Sequence, residues 1–343
     1  MSMNRRTFAQ TVALGLAGAS VPRWMQAQTR RSLKIGHTGI TWPSGAGRGG
    51  GRPAGPAGAA ATPPGTPTAV RGAGDPGLAP ATPGVRPIDP AAIERIFQDV
   101  SSQGFHGLEL FNWQIDAMEA HGGLAPLIEK YRLPLISSYS GWNMTDATQR
   151  PASIAAMVQS AKLVKKYGGS VIVFGPNGVN RASYVFAEHR QDILTSLNEG
   201  AKQIVDLGLT PVLHQHTGTC IETRDETYAV MEAVDTRYLK FGPDIGQLQK
   251  GGADPVQVVK DFLPLVQHMH LKDFSGGAAF LGYAPLGQGH VDIPAILSMM
   301  DGRAMGGMIM VELDGGANMP MTALDTAKIA RAYLQRQGID MGA

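Results

Sequence analysis

The stretch His268-Met269-His270-Leu271-Lys272-Asp273 carries polar side chains at alternate positions directly after an apolar run. Side chains two residues apart on a β-strand face the same way, so His268, His270 and Lys272 share one face. Three other apolar runs also end in a histidine or a carboxylate, residue types that bind metals: Leu213-His214-Gln215-His216, Gly242-Pro243-Asp244-Ile245 and Val311-Glu312-Leu313-Asp314. Strand ends in a closed barrel bring residues about 100 positions apart to one point, and imidazole with carboxylate suits a divalent first-row metal. The order His, Asp, His, Glu therefore predicts a metal site.

Strand-like and helix-like segments alternate along most of the chain. Eight apolar segments have strand character: 33–38, 106–111, 134–138, 170–174, 211–214, 239–244, 266–271 and 308–313. Helical spacing follows Pro90 and recurs at 115–131, 151–167, 188–207, 224–234, 255–262, 293–300 and 322–337. This pattern predicts an α/β fold, a single (β/α)8 TIM barrel over residues 33–337. A doubly wound open sheet is the main alternative, but the Gly-rich phosphate turn that such a sheet often has after its first strand is missing.

The N-terminus has the features of a twin-arginine export signal. Arg5 and Arg6 precede Phe8, an apolar run covers 11–21, and a plausible cleavage region lies at 25–28. We therefore predict that residues 1–28 are a signal peptide and that the protein is periplasmic or secreted. The apolar run is shorter than a membrane-spanning helix requires, so we expect no stable membrane insertion.

A second unusual segment interrupts the predicted barrel after its first strand. Residues 43–89 contain 12 Gly and 10 Pro in 47 positions and few large apolar side chains. Such a composition cannot bury enough surface to offset the entropy lost on ordering. We predict a disordered low-complexity insertion at 43–89.

Charge and cysteine content exclude some classes of protein. Leaving out the five Arg of residues 1–31, and the four Arg and two Asp of 43–89, leaves 21 basic and 26 acidic residues, a net charge of −5. A protein with this net charge does not have the basic surface that binding to a nucleic-acid backbone requires. The charge therefore argues against a metal-dependent endonuclease. Cys220 is the single cysteine, so no intramolecular disulfide can form.

Several motifs together give the chain a resemblance to a known family. The motifs are Gly104-Phe105-His106-Gly107-Leu108-Glu109-Leu110, Asp244-Ile245-Gly246-Gln247, His270-Leu271-Lys272-Asp273, Gly287-Gln288-Gly289 and Val311-Glu312-Leu313-Asp314. In their order and spacing the chain resembles the xylose-isomerase-like barrel superfamily, which includes sugar-phosphate isomerases and epimerases. The resemblance implies one Mn, Co, Zn or Mg ion, with four ligands: His214, Asp244, His270 and Glu312.

Two departures from the epimerase pattern affect the expected reaction. Epimerases of this family usually have Glu where His214 stands, and their Asp-x-Gly-His motif ends here in Gln247. Residues 214–219, His-Gln-His-Thr-Gly-Thr, instead resemble the His-x-His-x-Gly-Thr pattern of inosose dehydratases, a lyase branch of the superfamily. The first expectation is an isomerase or epimerase that removes a proton next to the carbonyl of a neutral sugar or keto-sugar, through an enediolate. The alternatives are β-elimination by a lyase and a non-catalytic sugar-binding barrel.

The strand-end residues also receive individual roles in this hypothesis. We expect Glu312 to be the base, Lys272 to stabilise a developing oxyanion, and His216 to be a second acid or base. Asp273 follows Lys272 directly, and we expect Asp273 and Asp314 to be supporting groups on the strand face opposite to Lys272 and Glu312. Four further residues are candidate substrate contacts: Glu109, His37, Trp142 and Gln247. The expected partner is a small sugar or keto-sugar, in a monomer or a homo-oligomer.

Overall fold

Eight parallel strands form a nearly closed ring in the computed structural model, which describes residues 30–44, 87–314 and 319–342. The barrel strands are β1 Ile35–Thr38, β2 Leu108–Phe111, β3 Leu135–Trp142, β4 Val171–Pro176, β5 Thr210–Leu213, β6 Lys240–Phe241, β7 Met269–Leu271 and β10 Ile309–Val311. Their hydrogen-bonded order is β6-β5-β4-β3-β2-β1-β10-β7. Parallel bridges from Phe241 to Val266 and from Asp244 to His270 bring the two edge strands together. The predicted TIM barrel is confirmed.

Helices follow the strands and cover the outside of the barrel. In the described residues they are α1 Pro90–Ser102, α2 Asn112–Glu119, α3 Ala125–Tyr131, α4 Arg150–Lys166, α5 Phe186–Asp206, α6 Arg224–Met231, α7 Ile245–Lys250, α8 Pro255–Asp261, α9 Ile293–Met300 and α10 Ala323–Arg336. Side-chain caps set several starts: Asp89 accepts from the Ala91 N–H ahead of Pro90, and Thr223 forms a capping box with Glu226. In this part of the chain no helix is both long and apolar enough to cross a membrane.

The structure corrects two element boundaries. The helix expected over 115–131 is two helices, α2 and α3, because Gly122 and Gly123 between them have φ of 92° and 76°, outside the right-handed helical range. The strand expected over 239–244 is reduced to β6, since Pro243 has no amide hydrogen and Asp244 already caps α7 through the Gln247 N–H.

The two faces of each strand contact different layers. Inside the barrel, Tyr139, Val171, Val173 and Val212 pack together. Their neighbours in sequence, such as Ile172, belong to the larger core between strands and helices. Because side chains alternate along a strand, a residue's parity decides whether it can reach the barrel interior.

The described ends of the predicted insertion lie side by side. The Asp89 N–H donates to the Ser44 carbonyl at 3.1 Å, and the Gln114 side chain donates to the Ser44 hydroxyl at 2.7 Å. Just before this junction, the Thr41 hydroxyl donates to the Leu313 carbonyl at 2.8 Å, beside the end of β10. Ser44 and Ile88 are buried, so the predicted boundaries 43–89 are too wide at both ends. Residues 45–86 and the predicted signal peptide 1–28 lie outside the described residues.

A short antiparallel ribbon, which the sequence did not predict, follows β7. Its strands are β8 Asp273–Phe274 and β9 Tyr283–Ala284. The Asp273 carboxylate accepts backbone N–H groups of Gly287 and Gly289 at 2.9 Å and of Val291 at 3.2 Å. Asp273 thus fixes the Gly287-Gln288-Gly289 loop and supports the barrel rim, as its predicted supporting role requires.

Replacing residues 45–86 by a linker of about four Gly or Ser residues is expected to leave the melting temperature unchanged or slightly raised. The junction at Ser44 and Asp89 already holds the ends together, and a shorter loop costs less closure entropy. Thermal unfolding followed by circular dichroism measures this. A large fall in melting temperature would show that the segment contributes to the barrel itself.

The Gly289→Ala variant is expected to lose about 1–3 kcal/mol of unfolding free energy, as overpacked sites do. Its new methyl carbon would lie 2.2 Å from Asp273 Oδ1 and 2.7 Å from the Phe274 carbonyl oxygen. Urea denaturation measures the loss. Gly277→Ala is the control, because its methyl carbon would come no nearer than 3.3 Å, to the Ser275 hydroxyl. Equal losses in both variants would contradict the role given to Asp273.

Candidate active site

The four predicted metal ligands come together at the C-terminal ends of β5, β6, β7 and β10. Ligand atoms of His214, Asp244 and His270 all lie within 4.8 Å of one another. Glu312 joins them through a 2.6 Å contact between its Oε2 and His270 Nδ1. All four side chains are buried, with at most 5% of their surface exposed. The geometry thus fulfils the first requirement of the predicted site, proximity of the ligands.

His214 has the chemical state that a metal ligand needs. Within the described residues neither of its ring nitrogens has a hydrogen-bond partner, and Nε2 lies 4.0 Å from Asp244 Oδ2. Burial, and then the charge of His270, lower the pKa of His214 well below its usual value, so the ring is neutral. Buried polar atoms nearly always have a partner, and a neutral imidazole has a lone pair to donate. These residues fit a divalent cation.

Lys272 lies at the centre of the acidic groups. Its ammonium is 2.9 Å from Asp244 Oδ2, 2.5 Å from Glu312 Oε1 and 3.0 Å from Asp314 Oδ2. Burial disfavours its charge, but the carboxylates of Asp244, Asp314 and Glu312 outweigh burial and raise the pKa of Lys272 well above its usual value. Asp314 therefore contacts Lys272 directly, contrary to the expectation of an opposite face, because Asp314 lies two residues after Glu312 and so faces the same way.

Glu312 is ionised in this arrangement. Burial alone would raise its pKa, but the charges of His270 and Lys272 hold it well below the usual range. The carboxylate is therefore in the form that can accept a proton or bind a cation. Its role as the base stays a prediction.

His216 is oriented by its neighbours. Its Nδ1 lies 2.7 Å from the Thr217 carbonyl oxygen, which can only accept, so Nδ1 carries the proton. Its Nε2 lies 2.7 Å from the Gln247 amide nitrogen and accepts from it. The Gln247 oxygen in turn accepts from the Thr217 hydroxyl at 2.7 Å. Gln247, predicted to contact substrate, is thus occupied in orienting His216.

Glu109 has both carboxylate oxygens engaged by the protein. Oε2 accepts from the Ser137 hydroxyl at 2.6 Å and lies 3.0 Å from His268 Nε2, while Oε1 is 2.9 Å from His270 Nε2. Burial would raise its pKa, but the two histidines, His270 first, lower it to about 2. These contacts leave little of the carboxylate for the substrate contact that the sequence predicted.

The other two predicted substrate contacts lie on the wrong face of their strands. His37 pairs in register with Leu108, and its ring packs edge-on against Trp42 and Phe105 of the outer core. Burial lowers the pKa of His37 to about 4. Trp142 has the outward parity of Ser140, and its ring packs against Phe174 at 5.5 Å. Since both rings point towards the helices, the structure does not support substrate contact for either residue.

Tyr283 is a site residue that the sequence analysis missed. Its ring lies over Lys272, with the ammonium 4.7 Å from the ring centre, and it is 2% exposed. It reaches the site from β9, a strand of two residues that is too short to show any alternation. His268 falls within the strand predicted over 266–271 but has no role in the sequence-based hypothesis. Its contact with Glu109 depends on the pairing of distant strands, for which the sequence gives no signal.

Comparison with known proteins finds similar proteins that align over about 70% of this chain. A 22% identical inosose dehydratase from Clostridium botulinum (strain Alaska E43 / Type E3) aligns over 273 residues, which cover 71% of this chain and 89% of that protein. A probable 3-DHS dehydratase of petrobactin synthesis from Bacillus anthracis shares the fold, with a TM-score of 0.60 and 19% identity over 70% of this chain and 92% of that one.

Two further solved structures share the fold. One is an IOLI protein with a bound zinc atom, with a TM-score of 0.59 and 16% identity over 72% of this chain and 92% of that one. The other is a 3-keto-D-glucoside 4-epimerase from E. coli, with a TM-score of 0.54 and 17% identity over 71% of this chain and 93% of that one. The relatives are thus enzymes of both reaction classes.

The family profile described as xylose isomerase-like TIM barrel matches residues 97–337, which is more than half of the chain. It spans β2 to α10 and includes all four predicted metal ligands. The chain belongs to the xylose isomerase-like TIM barrel family.

Proposed function

We propose that this protein is a metal-dependent lyase that removes a proton next to the carbonyl of a neutral keto-sugar or inosose and then expels a β-oxygen. The observation that carries the proposal is the buried group of His214, Asp244 and His270 beside an ionised Glu312. The inosose dehydratase relatives support elimination over the isomerase or epimerase reaction first expected from the sequence. That reaction remains the second candidate, which the epimerase of the same fold supports.

The metal would be held by His214, Asp244, His270 and Glu312. A divalent ion bound there would supply Lewis acidity towards the substrate carbonyl. Zinc is one candidate, since a protein of the same fold binds it. Manganese, cobalt and magnesium fit the same mixture of imidazole and carboxylate ligands.

The chain's own residues divide the proton transfers between them. Glu312 is ionised and is the candidate base for the proton next to the carbonyl. The Nδ1 proton of His216 is held by the Thr217 carbonyl, so Nε2 is the nitrogen available for proton transfer. To protonate the leaving oxygen, His216 would have to enter the step as an imidazolium, with Nε2 released from the Gln247 amide. Lys272 supplies a positive charge for the oxyanion that develops during proton removal.

The charge of the site supports a neutral substrate. Asp244, Glu312 and Asp314 all contact Lys272, so three carboxylates surround a single ammonium. A phosphate or carboxylate on the substrate would be repelled by these acids. The export signal proposed for residues 1–28 would place the enzyme outside the cytoplasm, where phosphorylated sugars are scarce.

A saturating divalent metal is expected to stabilise the protein. At a free Zn²⁺ or Mn²⁺ concentration 100 times the Kd, the unfolding free energy should rise by about 2.7 kcal/mol. A chelator should reverse the gain, and His214→Ala should abolish it, because the neutral His214 ring has neither a hydrogen bond nor an ion pair within hydrogen-bond distance among the described residues and offers a lone pair to the cation. Chemical denaturation with and without metal measures this. The control is His121→Ala at an exposed position. A wild-type stability that ignores both metal and chelator would refute the metal site.

The reaction can be assigned by incubating metal-loaded protein in deuterated water with inososes, 3-keto-glycosides and free ketoses. Elimination should give an absorbing enone, whereas the second candidate should give a deuterated epimer or isomer without an enone. Glu312→Gln should lower the rate by about 10²- to 10⁴-fold, the usual contribution of a general base. Mass spectrometry and ultraviolet absorbance measure the products.

The control variant is Asp116→Asn, whose carboxylate contacts Ser160 outside the site. Its rate should match that of wild type. Sugar binding without turnover or deuterium exchange in any substrate would instead support the non-catalytic sugar-binding barrel.

A further inference from the structure

We propose that Glu109, held by Ser137 and His268, is a positioning residue that fixes His270 as a metal ligand. This inference rests on the metal site of the proposed function and deepens it. It assigns Glu109 neither to the substrate nor to a second metal ion. Four buried side chains, those of Ser137, Glu109, His268 and His270, support it through the atoms that donate and the atoms that accept.

The chain of hydrogen bonds begins at His268. The backbone N–H of Met308 lies 3.2 Å from His268 Nδ1, and a backbone amide can only donate. Nδ1 is therefore the acceptor, and the proton of the neutral ring is on Nε2. That nitrogen lies 3.0 Å from Glu109 Oε2, so His268 donates to Glu109.

Ser137 completes the support of the same oxygen. Glu109 and Ser137 are partners in the register of β2 and β3 and share the interior face of the barrel. The Ser137 hydroxyl donates to Glu109 Oε2 at 2.6 Å. With Oε2 occupied by two donors, Oε1 is directed to His270 Nε2 at 2.9 Å.

The orientation of His270 follows. Glu109 Oε1 makes an ion-pair contact with Nε2, so in a neutral, metal-bound His270 it would hold the proton on Nε2. Its Nδ1, which lies 2.6 Å from Glu312 Oε2, is left as the nitrogen that can bind a cation on the side of Asp244 and His214. A carboxylate that accepts from the far nitrogen of a ligand histidine fixes the ring and strengthens it as a donor.

Two candidate cation sites share His270, and they differ in whether their other histidine has a free lone pair. One group is Glu109, His268 and His270, and the other is His214, Asp244 and His270. In the first group His268 uses Nδ1 as an acceptor and carries a proton on Nε2, so it has no lone pair to offer. In the second group neither nitrogen of His214 has a hydrogen-bond partner among the described residues. The second group is the metal centre, and the first is its support.

Metal affinity of the full-length chain tests this inference without any substrate. Zn²⁺ and Co²⁺ dissociation constants are measured by chelator competition for wild type, Glu109→Gln, His268→Gln and Ser137→Ala. Loss of such a supporting partner typically weakens metal binding by about 10- to 100-fold. We expect that range for Glu109→Gln and His268→Gln and a smaller loss for Ser137→Ala.

Ser138→Ala is the matched control for Ser137→Ala. Ser138 is the next residue of the same strand and is equally buried, but it lies on the opposite face. Its hydroxyl has no hydrogen-bond partner in the described part of the chain. Metal affinity should be unchanged in Ser138→Ala. Equal losses in the two serine variants would point to general damage to β3 and would overturn the inference.

A second measurement reads the proton positions directly. Two-bond ¹H–¹⁵N correlation spectra of histidine-labelled protein distinguish the two neutral forms of each imidazole. We expect the proton of His268 on Nε2 in wild type, and the proton of metal-bound His270 also on Nε2. A proton on Nδ1 of His268 would overturn the inference.

Further outcomes are equally decisive. Unchanged metal affinity in a folded Glu109→Gln protein would refute the positioning role. Two Zn²⁺ ions per chain, reduced to one in His268→Gln, would show that the supporting group is itself a metal site. If Glu109→Gln does not fold, the paired serine variants decide. If wild type binds no Zn²⁺ or Co²⁺, the proposed function fails, while the proton position of His268 still tests the hydrogen-bond chain.

Discussion

The buried ammonium of Lys272, surrounded by three carboxylates, is the interaction that the arrangement of the site depends on. Placing a charge in a protein interior is costly, and leaving one partner of a buried ion pair alone costs about 3–5 kcal/mol. Asp244, Glu312 and Asp314 come from two different strand ends, yet all three contact the same ammonium. These charges can meet only when the ring of strands is closed. Formation of the site therefore depends on closure of the barrel.

A second constraint is that the interior of the barrel contains an apolar part and a polar part. Tyr139, Val171, Val173 and Val212 fill one part with apolar side chains. Polar groups occupy the other part. Hydrogen bonds between protein groups there replace the hydrogen bonds that these groups made with water in the unfolded chain. Nearly every polar atom of Glu109, His216 and Gln247 is bound by another protein group. His214 differs from them, since its nitrogens have no such partners in the described residues, and this difference marks the place for a cation.

The sequence was sufficient to predict the barrel and the meeting of its four metal-type ligands, because both follow from short-range patterns. Apolar strands and helical spacing are local, and the ends of parallel strands must lie at the same rim. Face assignments failed where a strand was ended too early or its alternation was not followed. Strand β3 extends to Trp142, well beyond the expected 134–138, and its parity turns the Trp142 ring outwards. The roles of His268 and Tyr283 depend on contacts between distant segments, which no local pattern encodes.

The junction at Ser44 and Asp89 also has a consequence for assembly. The chain leaves the barrel there, a few residues after Thr41 binds the Leu313 carbonyl next to Glu312, and it returns at the same point. A reporter domain or a surface anchor grafted into the intervening segment would therefore be tethered at the rim that carries the candidate active site. The opposite end of the barrel, where the strands begin, would stay clear of it.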